Sequence, residues 1–171
     1  MDLEEAIKTA IDYELKVQQA YEKAKAEATN ETGQRVFGFL AEEEAGHVAY
    51  LNTRLELWKK DGKLTVEKLD TVIPTKAVID ASLSKLEKDL GDKQAPGEGE
   101  LELLQKALKA EEETSAFYKK MVQELDGDAK KLFERFVEIE DGHVAIVEAE
   151  IAAVSGMGFW FDIPEFNIAN S

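Results

Sequence analysis

Laid over itself with an offset of 96 residues, the chain repeats its polar residues along with its apolar ones. Phe37 falls on Phe133, Glu42 on Glu138, Glu44 on Glu140, and Gly46-His47-Val48-Ala49 on Gly142-His143-Val144-Ala145. With an offset of 97, Glu14 falls on Glu111 and Tyr21 on Tyr118. A chain made of two copies of one unit is restricted to folds in which that unit packs against itself. The unit here is helical. Apolar residues recur at three- and four-residue spacing in four stretches, the pattern of helices buried along one face. These are 3–28 (Ile7, Ile11, Val17, Tyr21), 33–60 (Val36, Leu40, Leu51, Leu55, Trp58), a third beginning near 98 (Leu101, Leu104, Leu108, Tyr118, Val122, Leu125) and 128–154 (Phe133, Phe136, Val147, Ile151, Val154).

The breaks divide the chain the same way. Thr29-Asn30-Glu31-Thr32-Gly33 and Asp126-Gly127-Asp128 offer C-cap glycines and N-cap side chains for tight turns between antiparallel helices. Residues 61–97 are too many for a turn; with Pro74, the run Gln94-Ala95-Pro96-Gly97 and a short helix expected at 76–90, they read as a crossover. The expectation is an all-α, antiparallel four-helix bundle over 1–155, built from hairpins 1–60 and 98–155. Residues 156–171 form an aromatic tail, Phe159-Trp160-Phe161-Asp162-Ile163-Pro164-Glu165-Phe166. It reads as a segment packed on the bundle or on a dimer partner.

Composition removes several classes of function. The chain has no cysteine, which excludes disulfides, thiolate metal sites, iron–sulfur clusters and a cysteine nucleophile. A metal would have to be held by oxygen and nitrogen. With 36 acidic against 21 basic residues and a net charge of −15, nucleic acid is not an expected partner. No stretch approaches the ~20 apolar residues of a membrane helix. The acidic start Met1-Asp2-Leu3-Glu4-Glu5 lacks the features of a signal peptide, so a cytoplasmic protein is expected.

The only two histidines both lie in Glu-x-x-His: Glu44-Ala45-Gly46-His47 and Glu140-Asp141-Gly142-His143. Residues three apart share a helix face, so both side chains of each motif can reach one ion. The apolar stripes run through them: Val36, Leu40, Glu44, His47, Leu51 in the second helix, and Phe133, Phe136, Glu140, His143, Val147 in the fourth. The first helix reads Ile7, Ile11, Glu14, Val17, Tyr21, and the third Leu104, Leu108, Glu111, Ser115, Tyr118. Each core stripe is thus interrupted by a carboxylate. Antiparallel pairing about each tight turn brings Glu14 beside Glu44 and Glu111 beside Glu140. Glu112 and Glu113 miss the seam. Four buried carboxylates cannot remain ionised together without compensation. Two divalent cations would neutralise them, with the imidazoles completing the shells. Carboxylates with two imidazoles suit iron or manganese better than calcium, and zinc could substitute.

Glu14, Glu44, His47, Glu111, Glu140 and His143 together make the chain resemble the ferritin-like di-iron carboxylate family, and within it the rubrerythrins. The resemblance covers about residues 1–155. It implies a ferritin-like fold holding two iron ions, with Glu14 and Glu111 as terminal ligands, Glu44 and Glu140 as bridges, and His47 and His143 each capping one ion. Catalysis would run through the metals on those carboxylates. Tyr21 and Tyr118 match tyrosines close to the cluster in rubrerythrins; aromatic core filling accounts for them equally well. Gly46 and Gly142, costly inside a helix, are read as points of close backbone approach. Two departures stand out. There are no cysteines for a rubredoxin-type iron site, and Thr114 occupies the position of an extra glutamate that exchanges with histidine on redox change.

The function so implied is a peroxidase-type di-iron oxidoreductase that reduces hydrogen peroxide or handles dioxygen, re-reduced by an external electron-transfer protein. A homodimer is expected. Two other readings remain: a ferroxidase or carrier of iron storage or detoxification, and a metal-stabilised structural bundle.

Overall fold

The computed structural model describes residues 1–65, 69–71, 73–86, 99–158 and 160–162, apart from the side chains of 82–86 and 157. Among them there is no strand. Five α-helices are seen: α1 Leu3–Glu27, α2 Glu31–Asp61, α3 Lys76–Leu86, α4 Glu100–Glu124 and α5 Gly127–Ala152, the last running into a π-helical turn, Ala153–Met157. The last part of the expected short helix (87–90), the run Gln94-Ala95-Pro96-Gly97, Phe159 and residues 163–171 lie outside the described residues.

The helix ends show why the chain turns where it does. Asp2 caps α1 through a capping box: Glu5 N donates to Asp2 Oδ1 at 2.8 Å, and Asp2 N donates to Glu5 Oε2 at 3.3 Å. Asn30 caps α2, its Oδ1 accepting from Gly33 N at 3.0 Å. Gly33 therefore does not cap the helix before it, as the sequence suggested. It sits in the first turn of α2, where a Cβ would stand 2.8 Å from Trp160 Cε2, so its smallness admits the indole. At the second turn Gly127 takes φ 60°, a left-handed conformation that glycine adopts without strain.

Turns of a few residues make α1–α2 and α4–α5 antiparallel hairpins, and α1 also packs on α4. The core is two hydrophobic clusters stacked along the bundle. One holds Val17, Tyr21, Phe37, Leu40, Leu104 and Ile146; the other holds Ile7, Leu51, Tyr118, Met121, Phe133 and Phe136. The start of α1 shares a cluster with the end of α4, so these two helices are antiparallel as well. Between the clusters lies a buried polar layer.

The crossover runs over the groove between α2 and α5. Leu69 O accepts Arg135 Nε and Nη2 at 3.0 and 2.7 Å, Thr71 Oγ1 donates to Glu43 at 2.6 Å, and α3 packs on α5. Gly142 permits this approach: a Cβ there would lie 2.9 Å from Pro74 O. Gly46 does not match the expectation of close approach, since a Cβ there would meet nothing within 4 Å. Trp160 and Phe161 are buried in the first cluster of their own chain, so this part of the tail covers the bundle. Glu100 ties it down, accepting from Thr29 N at 2.8 Å, from Asn30 N at 2.6 Å and from the Trp160 indole.

Candidate metal centre

Each of the four long helices contributes one carboxylate to the polar layer, and α2 and α5 each add a histidine one turn further on. Glu14, Glu44, Glu111, Glu140 and His143 are fully buried, and His47 is 1% exposed. These are the six residues singled out in the sequence, and the structure brings them together. Their atoms form two overlapping groups, Glu14–Glu44–His47–Glu140 and Glu44–Glu111–Glu140–His143, with ligand atoms within 4.8 Å of one another in each. Glu44 and Glu140 belong to both. His47 Nδ1 lies 3.4 Å from Glu14 Oε2 and 3.4 Å from Glu44 Oε2. His143 Nδ1 lies 2.8 Å from Glu44 Oε1 and 3.3 Å from Glu111 Oε1.

The tyrosines cross between the halves. Tyr21 of α1 donates to Glu111 of α4 at 2.6 Å, and Tyr118 of α4 donates to Glu14 of α1 at 2.5 Å. They are therefore hydrogen-bonded to the carboxylate layer as well as filling the core. Thr114 takes no such part: its hydroxyl donates to Ala110 O at 2.9 Å, within its own helix.

Without metal the crowding of the layer shifts how tightly its members hold protons. Burial, followed by the charges of Glu14 and Glu111, pushes Glu44 well above the ordinary carboxylate range. Burial and the charges of Glu111 and Glu14 do the same to Glu140. Burial alone would also raise Glu14 and Glu111. For Glu14, the neighbouring Glu44 carboxyl, the charge of His47 and the Tyr118 hydroxyl outweigh it and hold the group low. For Glu111, the neighbouring Glu140 carboxyl, the His143 ring and the Tyr21 hydroxyl hold it at about 2. Burial opposes charge on His47, but Glu14 and Glu44 raise it to about 10. His143 is likewise raised, by Glu44 and its hydrogen-bonded carboxylates, against burial. Glu44, Glu140 and both histidines thus hold their protons more tightly than usual, and Glu14 and Glu111 less tightly.

Protons do not satisfy every atom. Glu44 Oε2, Glu111 Oε2 and both oxygens of Glu140 are buried without a hydrogen-bond partner. Such orphaned oxygens are costly in a packed core, and here they converge on the two groups described above. Carboxylates and imidazoles at this spacing could hold metal ions.

No family model matches this chain, and comparisons with curated proteins and with solved structures find no significant match. The site has to be read from its own geometry.

Some of that geometry was not singled out in the sequence. Glu43, whose side chain reaches both histidines, is off the apolar seam and has Ile139 as its counterpart in the repeat. Its spacing of four from His47 was the available signal. No helix is long and apolar enough to cross a membrane among the described residues. A groove lined by Glu42, Gly46, Leu69 and Asp70 leads from the surface to His47. Its acidic lining suits a cation better than an anion.

Proposed function

We propose that this chain is a ferritin-like dinuclear metalloprotein of rubrerythrin type, a di-iron oxidoreductase that reduces hydrogen peroxide with electrons from an external donor. The observation carrying this reading is the pair of overlapping groups that share Glu44 and Glu140. A mononuclear site has no use for a second terminal carboxylate and a second histidine related to the first by the repeat. In this reading Glu14 with His47 would hold one ion and Glu111 with His143 the other, with Glu44 and Glu140 in reach of both groups. Manganese or zinc would fit the same ligands.

Two ferrous ions would supply the two electrons that convert H2O2, with two protons, into two molecules of water. The chain supplies the setting. The hydrophobic clusters above and below the layer exclude bulk water, and the groove between α2 and the crossover beside Gly46 offers an approach for a small substrate. Tyr21 and Tyr118 hold the terminal carboxylates in place. Burial and the neighbouring glutamates push both phenols well above their ordinary pKa, so the hydroxyl protons stay on the bonds to Glu111 and Glu14. With no cysteine in the chain, re-reduction falls to a partner protein.

The test is anaerobic metal analysis, then stopped-flow oxidation of the iron(II)-loaded protein by peroxide and by dioxygen. Two irons per chain and faster oxidation by peroxide support the reading; turnover would then recover on addition of a rubredoxin-like or flavin donor. Faster oxidation by dioxygen, with many Fe(II) consumed per chain, replaces it with an iron-handling function. Metal binding without oxidation by either leaves a structural metal.

A further inference from the structure

His47 and His143 turn Nδ1 to the carboxylate layer and Nε2 away from it. Both Nε2 atoms are buried without a hydrogen-bond partner. On that outer side, among the described residues, one side chain approaches both: Glu43 Oε2 lies 3.5 Å from His143 Nε2 and 3.9 Å from His47 Nε2. The two rings are stacked, with centroids 5.3 Å apart and planes inclined by 24°, so one carboxylate spans both edges. Glu43 is itself fixed from the crossover, because Thr71 Oγ1 donates to the same Oε2 at 2.6 Å. Nothing in the second half duplicates it, its counterpart being Ile139.

A neutral imidazole has one lone pair and one N–H. If Nδ1 binds a metal, the proton must sit on Nε2, where a buried N–H needs an acceptor. We infer that Glu43 is a positioning residue for both histidines: it accepts Nε2–H from His47 and His143, fixes both imidazoles with Nδ1 toward the metals, and is held in place by Thr71. This rests on the dinuclear reading above. Thr71 and both imidazoles approach the same Oε2, which has two acceptor directions, so accepting from both rings requires a turn of the carboxylate that brings Oε1 to one of them. At 3.5 and 3.9 Å the separations exceed the ~3.2 Å limit of such a hydrogen bond, and a change in the Glu43 side-chain torsions would close them.

Glu43, His47 and His143 also lie close enough to enclose a cation of their own. An ion there would take the Nε2 lone pairs and leave Nδ1 protonated against the layer. The two uses exclude each other, and four carboxylates on the Nδ1 side favour the inner one.

The experiment is a chelator-competition titration of the full chain with zinc, together with long-range 1H–15N spectra of the imidazoles in the zinc-loaded protein. Wild type should bind two ions per chain and show both histidines as Nε2–H tautomers protected from solvent. Glu43→Ala should weaken binding about 10–100-fold, the usual effect of removing an outer partner of a metal-bound histidine, and expose or scramble the Nε2–H signals. Glu43→Gln, which keeps one acceptor oxygen, should fall between, and Thr71→Val should shift both readouts in the same direction by less. If Glu43→Ala does not fold, the other two variants carry the test. Unchanged affinity and unchanged imidazole spectra in the folded variants would overturn the inference while leaving the dinuclear site intact. Three ions in wild type and two in Glu43→Ala would overturn it in favour of an outer cation site. A wild-type chain that binds no zinc would remove the dinuclear reading and this inference with it.

Discussion

At Gly46, on the second helix of the first hairpin, a Cβ would point into open space. At Gly142, its equivalent in the second hairpin, it would strike the carbonyl of Pro74. Other pairs behave differently. Glu44 and Glu140, and His47 and His143, occupy equivalent places in the two groups, and Tyr21 and Tyr118 make equivalent contacts across the bundle. The repeat is therefore kept where residues face one another across the bundle axis. It is lost where they face the crossover, because a single connecting segment cannot cover both hairpins alike. The membership of the carboxylate layer and its tyrosine contacts follow the two-fold repeat; its cover does not.

The largest expected effect tests the symmetric part. Glu44 and Glu140 are shared between the two groups, so Glu44→Ala or Glu140→Ala should each remove both ions. Glu14→Ala or Glu111→Ala should each leave one. Metal analysis after anaerobic loading and gel filtration reads the result. Within each pair the variants should match. If Glu44→Ala kept both ions while Glu140→Ala lost them, the two-fold description of the layer would fail.

The second effect concerns pH. In the metal-free protein Glu44 and Glu140 are raised above the unfolded value of 4.5. Groups raised in this way stabilise the fold below that value, and the stability is lost as the pH rises toward their folded pKa. His47, raised from 6.5 to about 10, contributes fully below 6.5 and loses its contribution as the pH rises toward 10. Glu14 and Glu111 are lowered, so their contribution is present above 4.5 and disappears on acidification, for Glu111 toward about 2. The contributions coincide only near pH 4.5. The apo melting temperature should therefore rise as the pH falls from 8 to about 5 and decline again below about 4. Loading must expel a proton from each of Glu44, Glu140, His47 and His143, so the loaded protein should instead lose stability on acidification. Melting curves with and without chelator, over that range, check both slopes. Identical curves would remove the charge-compensation argument.

Smaller effects attach to the tyrosines. Tyr21→Phe and Tyr118→Phe each delete one hydrogen bond to a buried carboxylate, worth about 1.5–3 kcal/mol. The two losses should agree closely in urea melts of the apo protein, since the bonds are 2.6 and 2.5 Å long and cross the bundle in opposite senses. A large difference would show that the symmetry of the contacts does not extend to their energies.

What could be read from the sequence follows the same division. The four helices, both hairpins and the six layer residues were legible because helical periodicity and the repeat each pointed to them independently. Residues 31–33 were misjudged for a local reason. Gly33 resembles a helix terminator, and its actual constraint, the Trp160 ring, comes from the far end of the chain. Glu100 reads as an ordinary first-turn acid of α4, yet it collects two backbone N–H groups and an indole from distant segments. Glu43 was hidden by the repeat itself, which pairs it with Ile139 and so gives no reason to single it out. Contacts made within a hairpin or between its copies leave a pattern in the sequence. Contacts made to a unique crossover or tail leave none.

The smallest expected effect is also the most direct probe of the unequal cover, because the two glycine substitutions should differ in sign. Alanine inside a helix is favoured over glycine by about 1 kcal/mol. At Gly46 nothing opposes that gain, as no atom lies within 4 Å of the added methyl, so Gly46→Ala should raise the melting temperature. At Gly142 the methyl would stand 2.9 Å from Pro74 O, a backbone atom tied through the crossover to Arg135 and Glu43. Relieving that overlap means moving the crossover, and overpacking of this kind costs about 1–3 kcal/mol. The helix gain offsets part of it, leaving Gly142→Ala neutral to about 2 kcal/mol destabilising. Metal content measured alongside distinguishes two ways for the crossover to give. If the segment shifts as a whole, Thr71 moves away from Glu43 and metal affinity falls with stability. If only the Pro74 peptide rotates, stability falls while affinity stays. Equal stabilisation by both alanines would mean that the crossover does not bear on α5 at all, and the contrast between the two hairpins would be lost.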